Sequence, residues 1–588
     1  MRTSHSRGGL TAKSVWAGVA ASFSSALRVS ATSVAWDFGF RDFGCSGNES
    51  RVVNALMWYS RVLACAVVVL ALSGCGGGGG SDTTDGGLDR FTHPQRCAGC
   101  HPRQYAEWQG SMMAYAAVSP VFNALEAIGN RLTGGEFASD GESALLCQRC
   151  HAPVSVDLRE FPPFAETEGH PSRDFTGEVG GHGLSCDFCH QVVSADKEGS
   201  LLGDGIGNAS YVLEPGETKF GPFADPQVSP FHPARPSTYL RSPQFCGSCH
   251  DVRFAGTDAV TGEGFLRLEN LFTEWQSGPY ATSDNPFGRV VSCQDCHMSG
   301  YPYTPPGTYF DERAATYGDT PVRSVSTHYF SGVDVALIEF PGQDDDRLDL
   351  HGLPIGQKQR REDLLRAACT IAVDAGDPVG GVLPLSVSVT NVGAGHNVPS
   401  GFSQERQLWI ELQVVDAAGT LVYESGYLFD KPHPELGEDV ADGNVDDEDL
   451  ENFHAVVDPV TMEAHIEPGP DFDQRPRVQL GLVNFGNKFR RVGARADEEV
   501  LSPFLANHMD NSHSIAPLQT ALVRYDVPLS VSAISPLSVR ARLRFRAFPP
   551  HFLRALAAAR PDLVDEALVD RNRIVEMAVA ETTVAIAD

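Results

Sequence analysis

Apolar and polar residues alternate along several segments in the later third of the chain. In LPLSVSVTN, Leu385, Val387 and Val389 fall on one face; in LWIELQVV, Leu408, Ile410, Leu412 and Val414 do so; in VRARLRFRA, Val539, Ala541, Leu543, Phe545 and Ala547 do so. Period-two alternation predicts half-buried antiparallel strands, joined by turns such as DAAG at 416–419. A β-sandwich is the natural packing for such strands. Arg540, Arg542, Arg544 and Arg546 occupy the other face of the third segment, and are expected to be a solvated strip paired with acidic neighbours rather than a docking face. The earlier part lacks this regularity. RQYAEWQGSMMAYAAVSPVFNALEAIG reads as short helical pieces, and Gly- and Pro-rich loops separate such pieces. The expected fold is mixed: a mainly α/irregular domain followed by an antiparallel β-sandwich.

A third pattern lies near the start. MWYSRVLACAVVVLALSGC, residues 57–75, has a short basic region with Arg61 and an apolar run from Val62 to Leu72. That run is far shorter than the roughly 20 residues of a membrane span, so it reads as a signal peptide. Leu-Ser-Gly-Cys looks like a lipobox, with Cys75 as the acylated residue. Residues 1–56 then read as a non-mature or mis-started leader, 57–74 as the signal peptide and 75–90 as a Gly-rich tether. Gly76 is not the aspartate associated with inner-membrane retention. The expected address is therefore extracytoplasmic, at the periplasmic or cell-surface face of a Gram-negative outer membrane.

The cysteines change the picture most. Of 14, ten fall in five copies of Cys-x-x-Cys-His: Cys97, Cys100 and His101; Cys147, Cys150 and His151; Cys186, Cys189 and His190; Cys246, Cys249 and His250; Cys293, Cys296 and His297. This is the attachment pattern of c-type haem. Two thiols so spaced can form thioethers to one porphyrin, and the adjacent histidine binds its iron. Structural zinc would use the pairs two at a time and needs no histidine after each; five pairs that all carry one point to five covalent haem c groups. Haem attachment occurs outside the cytoplasm, in accord with the signal peptide. All five motifs precede residue 300, so we divide the mature chain into a pentahaem domain at 91–330, a connecting segment at 331–370 and the sandwich at 371–588.

Each iron needs or lacks a second axial ligand. Two strong ligands suit electron transfer, whereas a vacancy permits chemistry. Candidate ligands are His182 in a glycine-rich turn, His232 in SPFHPARP and His328 in STHYFSG, with His93 and His170 weaker. His396, in GAGHNVPSG, is a candidate from the β-domain. Either Gly393, Gly395 and the Pro399-Ser400-Gly401 turn let its loop approach a haem closely, or His396 caps a turn and the glycines serve positive φ.

From FTHPQRCAGCHPRQYAEWQGSMMAYA through CQRCHAP, GLSCDFCH, FCGSCHDV, TEWQSGPYATS, CQDCHM and THYFSG, the order of segments resembles multihaem c-type cytochromes of the class that includes the tetrahaem carrier of ammonia oxidisers and hydroxylamine oxidoreductase. GAGHNVPSG resembles a loop that opens a β-rich C-terminal domain in some exported members. The resemblance implies bis-histidine haems stacked in pairs and extracytoplasmic electron transfer. Relatives often carry histidine in a Trp-x-x-Ser-x-His segment; here Met113 stands in its place. It is either a thioether ligand or a core methionine beside an open iron.

Charge closes the reading. A formal net charge of −30 disfavours nucleic acid and favours basic redox partner proteins. The acidic runs at 344–346 and 442–451 could hold calcium, although their spacing fits no EF-hand loop. An electron carrier anchored to the membrane by lipid is the leading expectation. A reductase or oxidase of a small nitrogen or sulfur compound with one open haem is the second, and a subunit of a polymeric, homo-oligomeric cytochrome assembly is the third.

Overall fold

A computed structural model describes residues 90–132, 147–158, 181–432 and most of 437–586. The leader, the signal peptide, Cys75, nearly all of the tether and His170 lie outside the described residues. Among the described residues no helix is long and apolar enough to cross a membrane.

The alternating segments form strands where expected. Val382–Asn391 buries Leu383, Leu385, Val387 and Val389 on one face. It pairs antiparallel with Thr520–Pro528 on one side and Cys369–Ala375 on the other. Gln407–Val415 lies antiparallel between Leu421–Ser425 and Leu537–Arg546, and Val575–Val584 extends that sheet. Tyr423 of one sheet meets Tyr525 of the other, their ring centroids 6.4 Å apart.

The structure departs from expectation in four respects. First, the smaller of these sheets is not wholly antiparallel, since Glu463–Ile466 runs parallel to Thr520–Pro528. A long connection, rather than a hairpin, joins the two and allows the same direction. Second, Gln407–Val415 is buried on both faces: Trp409 lies under Leu428, Leu450 and Leu482, and Glu411 lies beneath arginines. Third, the haem-motif region is mainly helical and irregular, as expected, but its described residues also include short strands. It holds four two-stranded sheets, made by Val192–Ala195 with Tyr211–Leu213, Lys219–Gly221 with Ala234–Pro236, Val252–Ala255 with Phe265–Glu269, and Phe310–Arg313 with Val322–Val325. These runs are too short to show alternation, so the pattern could not announce them. Fourth, residues 331–370 are more than a connection. They contain the helix Gln357–Ala368, which buries Gln357, Arg360, Arg361 and Leu365.

The arginine strip is paired, as expected. Arg540 meets Glu581 at 3.1 Å, Arg542 and Arg544 meet Glu411 at 2.8 and 2.7 Å, and Arg546 is fully buried. The acidic runs are likewise engaged by cations: Asp345 with Arg347, Asp446 with Arg573 and Asp449 with Arg554. Among the described residues no group of three or more His, Cys, Asp or Glu is placed to hold a metal ion, so the calcium expectation finds no support there. Cys369 is buried at the junction, as a packing residue.

Candidate functional site

Short helices hold the motif cysteines, and the sequence ahead of them explains why. Ser185 and Ser292 cap the helices Cys186–Cys189 and Cys293–His297, each accepting a backbone N–H of the first turn. Asp295 completes a capping box with Ser292. In the fourth motif Gly247 is required by close approach, because a Cβ there would lie 2.4 Å from the Phe272 ring.

These helices bring thiols of different motifs together. Cys97 lies beside Cys186, Cys150 beside Cys249, and Cys246 beside Cys293. The first motif thus adjoins the third, while the fourth adjoins both the second and the fifth. Cys189 and Cys249 are close enough to interact electrostatically, which links the third motif to the fourth. The five motifs form one connected cluster with the fourth at its branch point.

The motif histidines are prepared to bind metal through Nε2. His101 Nδ1 donates to the Ala314 carbonyl at 2.7 Å, His190 to Phe220 at 2.6 Å, His297 to Ser331 at 2.8 Å and His151 to Ala116 at 3.3 Å. Such a bond fixes the tautomer and leaves the Nε2 lone pair for a metal. Burial lowers the basicity of all four rings. It drives His250 down to about 4, with His297 and His151 adding to the effect. Neutral imidazoles beside paired thiols are the donor set that haem c attachment requires, so the residues fit the group.

The candidate second ligands fall into distinct surroundings. The His232 ring centroid lies 6.4 Å from that of His101, with the planes 32° apart. Two imidazoles on opposite faces of one metal, with bonds of about 2 Å each, have centroids roughly 6 Å apart. His328 is forced down to about 3 by burial and then by His190, and its backbone N–H donates to Glu107 at 2.7 Å. His396 is forced down to about 4 by burial, and its neighbours His297 and His250 add to the effect.

His182 behaves differently. Its Nε2 lies 2.9 Å from Nε2 of His93, and the two rings meet edge-on. His93 Nδ1 accepts from the Gln95 N–H, so in neutral His93 the proton is on Nε2 and donates to His182. The spacing is also shorter than the roughly 4 Å between nitrogens on opposite faces of one metal. Sequence reasoning ranked His93 low, and no periodicity could have paired residues 89 positions apart. Met113 sits in the helix Met112–Tyr115, where its carbonyl accepts from Leu184 at 3.0 Å. This bond holds the His182 turn against the Met113 segment.

The His396 loop is clamped between the two parts of the chain. Tyr280 and Tyr301 donate their hydroxyls to the carbonyls of Val392 and Gly393, each at 3.0 Å. A Cβ at Gly393 would lie 2.0 Å from the Ala367 carbonyl, so close approach rather than positive φ explains this glycine. Gly401, by contrast, does have positive φ. His396 Nδ1 donates locally to the Asn397 carbonyl at 2.9 Å, which again leaves Nε2 available. Glu274 accepts from the Asn397 N–H at 3.1 Å and from the Ser400 hydroxyl at 2.5 Å.

Burial raises the Glu274 carboxyl from 4.5 to about 7 despite those donors. The folded state therefore binds a proton here that the unfolded chain releases, and stability falls as pH rises from about 4.5 through about 7. Glu274→Gln is expected to flatten this part of the curve of unfolding midpoint against pH. An unchanged slope would place the titration elsewhere.

Residues 96–191 match the family of cytochrome c554 and c-prime. Among solved structures, a penta-heme cytochrome c552 from Thermochromatium tepidum is similar at 16% identity and a TM-score of 0.49, over 84% of this chain and 100% of that one. No curated protein matches. The family match spans the first three motifs, and the fourth and fifth repeat their paired thiols and buried, weakly basic histidines, which supports a multihaem c-type cytochrome.

Proposed function

We propose that this chain is an exported, lipid-anchored electron carrier that holds five haem c groups, one per motif. The observation that carries the reading is the connected cluster of motif thiols, running from Cys97 through Cys186 and Cys189 to Cys249, and branching to Cys150 and Cys293. Haems bound there supply reversible one-electron exchange. The protein's own residues set their spacing, hold each motif histidine in one tautomer and exclude water around the irons. His232, whose ring lies 6.4 Å from that of His101, would be the second ligand at the first motif, and the buried His328 and His396, which lie near His190 and His297, would serve the third and fifth. The two large sheets form a sandwich whose task is to deliver His396. The likeness of the motif order to the class that includes hydroxylamine oxidoreductase supports a carrier of that kind. The acidic surface suits a basic redox partner at the outer membrane.

Electron paramagnetic resonance of the oxidised mature protein, with spins counted per haem, tests this reading. Wild type is expected to be wholly low-spin, and His396→Ala to gain one high-spin haem. A high-spin haem already present in wild type would instead favour the reductase or oxidase of a small nitrogen or sulfur compound. An unchanged His396→Ala spectrum would remove His396 from the ligand set.

A further inference from the structure

The helix Gln357–Ala368 buries an unusual face. Its inward positions, at helical spacing, are Gln357, Arg360, Arg361 and Leu365. Arg360 is 2% exposed and Arg361 is 5% exposed. Buried arginines are rare unless an anion meets them. Arg360 donates Nε to the Pro354 carbonyl at 2.6 Å and lies 3.4 Å over the Tyr329 ring, yet its Nη2 has no partner. Nη1 of Arg361 likewise has none.

The acids that act on these two arginines from a distance, Glu107 on Arg360 and Glu362 and Asp334 on Arg361, have closer partners. Asp334 pairs with Arg406 at 2.6 Å, Glu107 with Arg103 and the His328 N–H, and Glu362 with Arg366. The same helix face touches the support of the fifth motif. Gln357 donates to the Tyr329 carbonyl at 3.0 Å and accepts from the Ser331 hydroxyl, and the Ser331 carbonyl accepts from His297. Arg361 lies one turn along from Gln357, on the same face. Two buried guanidinium groups therefore stand beside a haem site, each with an unpaired donor.

We propose that Arg361, with Arg360 beside it, receives the propionates of the haem held by His297 and sets the potential of that haem. This rests on the pentahaem reading above. Reduction adds one electron from the donor to iron and breaks no bond. A propionate neutralised by a guanidinium repels that electron less, so the pair raises the potential.

The test is an optical and paramagnetic redox titration of the holoprotein with Arg361→Gln, Arg361→Lys and the exposed control Arg366→Gln. Arg361→Gln is expected to move the oxidised-to-reduced ratio of one haem about tenfold toward oxidised at fixed potential, about 59 mV for a one-electron couple. Lysine should restore most of the shift, and the control should leave it unmoved. Unchanged midpoints at full haem count would overturn the assignment. So would a wild-type potential that follows added chloride, which would put an inorganic anion at the arginines. If Arg361→Gln does not mature, infrared difference spectra of Arg361→Lys against wild type serve instead: a displaced propionate carboxylate band supports the assignment, and an unmoved one overturns it. A haem count below five by pyridine haemochrome would sink the pentahaem reading itself, independently of Arg361.

Discussion

Cys246→Ser combined with Cys249→Ser is expected to yield a protein with one haem fewer than wild type and with electron flow interrupted in the middle. The fourth motif is the branch point of the cluster. Cys246 meets Cys293 of the fifth motif, Cys249 meets Cys150 of the second, and Cys249 also faces Cys189 of the third. Removing the covalent anchor there separates the first and third motifs from the fifth. The matching change at the first motif, Cys97→Ser with Cys100→Ser, also removes one haem but leaves the other four contiguous. Pyridine haemochrome counts should therefore be equal for the two variants. Rapid reduction followed by optical detection should show internal equilibration slowed in the Cys246 variant by far more than in the Cys97 variant. Equal rates would mean that electrons bypass the fourth haem and that the thiol contacts do not trace the path.

That variant also carries a structural cost. Phe272 packs against Gly247 with no room for a side chain, and the Phe272 N–H donates to the His250 carbonyl at 3.0 Å. Phe272, Trp275 and Tyr280 belong to one buried cluster with Val291. A haem at the fourth motif would therefore adjoin the cluster that supports the His396 loop, and the variant should be checked for folding by its remaining low-spin signals.

How much of this could be read from the chain varies by element and for physical reasons. The five Cys-x-x-Cys-His motifs were legible as candidate attachment sites because thioether chemistry fixes both residue type and spacing. The strands Val382–Asn391 and Leu537–Arg546 were legible because one face of each is buried, so that period two survives in the sequence. Gln407–Val415 was legible as a strand, yet not as one buried on both sides, because Glu411 reads as polar until Arg542 and Arg544 are seen to cover it. The parallel partner Glu463–Ile466 was out of reach, since register between distant segments leaves no local mark. The idea that His396 enters the haem region came from its glycines. The residues that hold the loop, Glu274, Tyr280 and Tyr301, come from elsewhere in the chain and carry no such signal. Arg360 and Arg361 were missed because QKQRRED has the composition of a solvated helix, and only burial shows that its cations face inward.

Arg546→Met is expected to destabilise the β-rich part by about 3–5 kcal/mol, the range for removing one member of a buried charged network. The Arg546 side chain is wholly buried and its basicity is lowered to about 10 by that burial, with Asp449 and Asp446 opposing. It donates Nε and Nη2 to Gln407 Oε1 at 2.8 and 2.5 Å, and Nη1 to the carbonyls of Asp446 and Glu448 at 2.7 and 2.9 Å. It also faces the Trp409 ring at 5.7 Å. Methionine fills much of the volume but leaves these acceptors unpaired in a dry interior, and lysine cannot reproduce the planar fork. Arg540, on the same strand, pairs with Glu581 where the two side chains are 41% and 65% exposed; Arg540→Met should cost less than about 1 kcal/mol. Urea unfolding followed by tryptophan fluorescence, at equal haem content, should separate the two variants clearly. If they unfold at the same midpoint, the buried network is not what stabilises the sheet. Because the same part of the chain carries His396, Arg546→Met should also begin to show the high-spin signal of His396→Ala at urea concentrations that leave wild type low-spin.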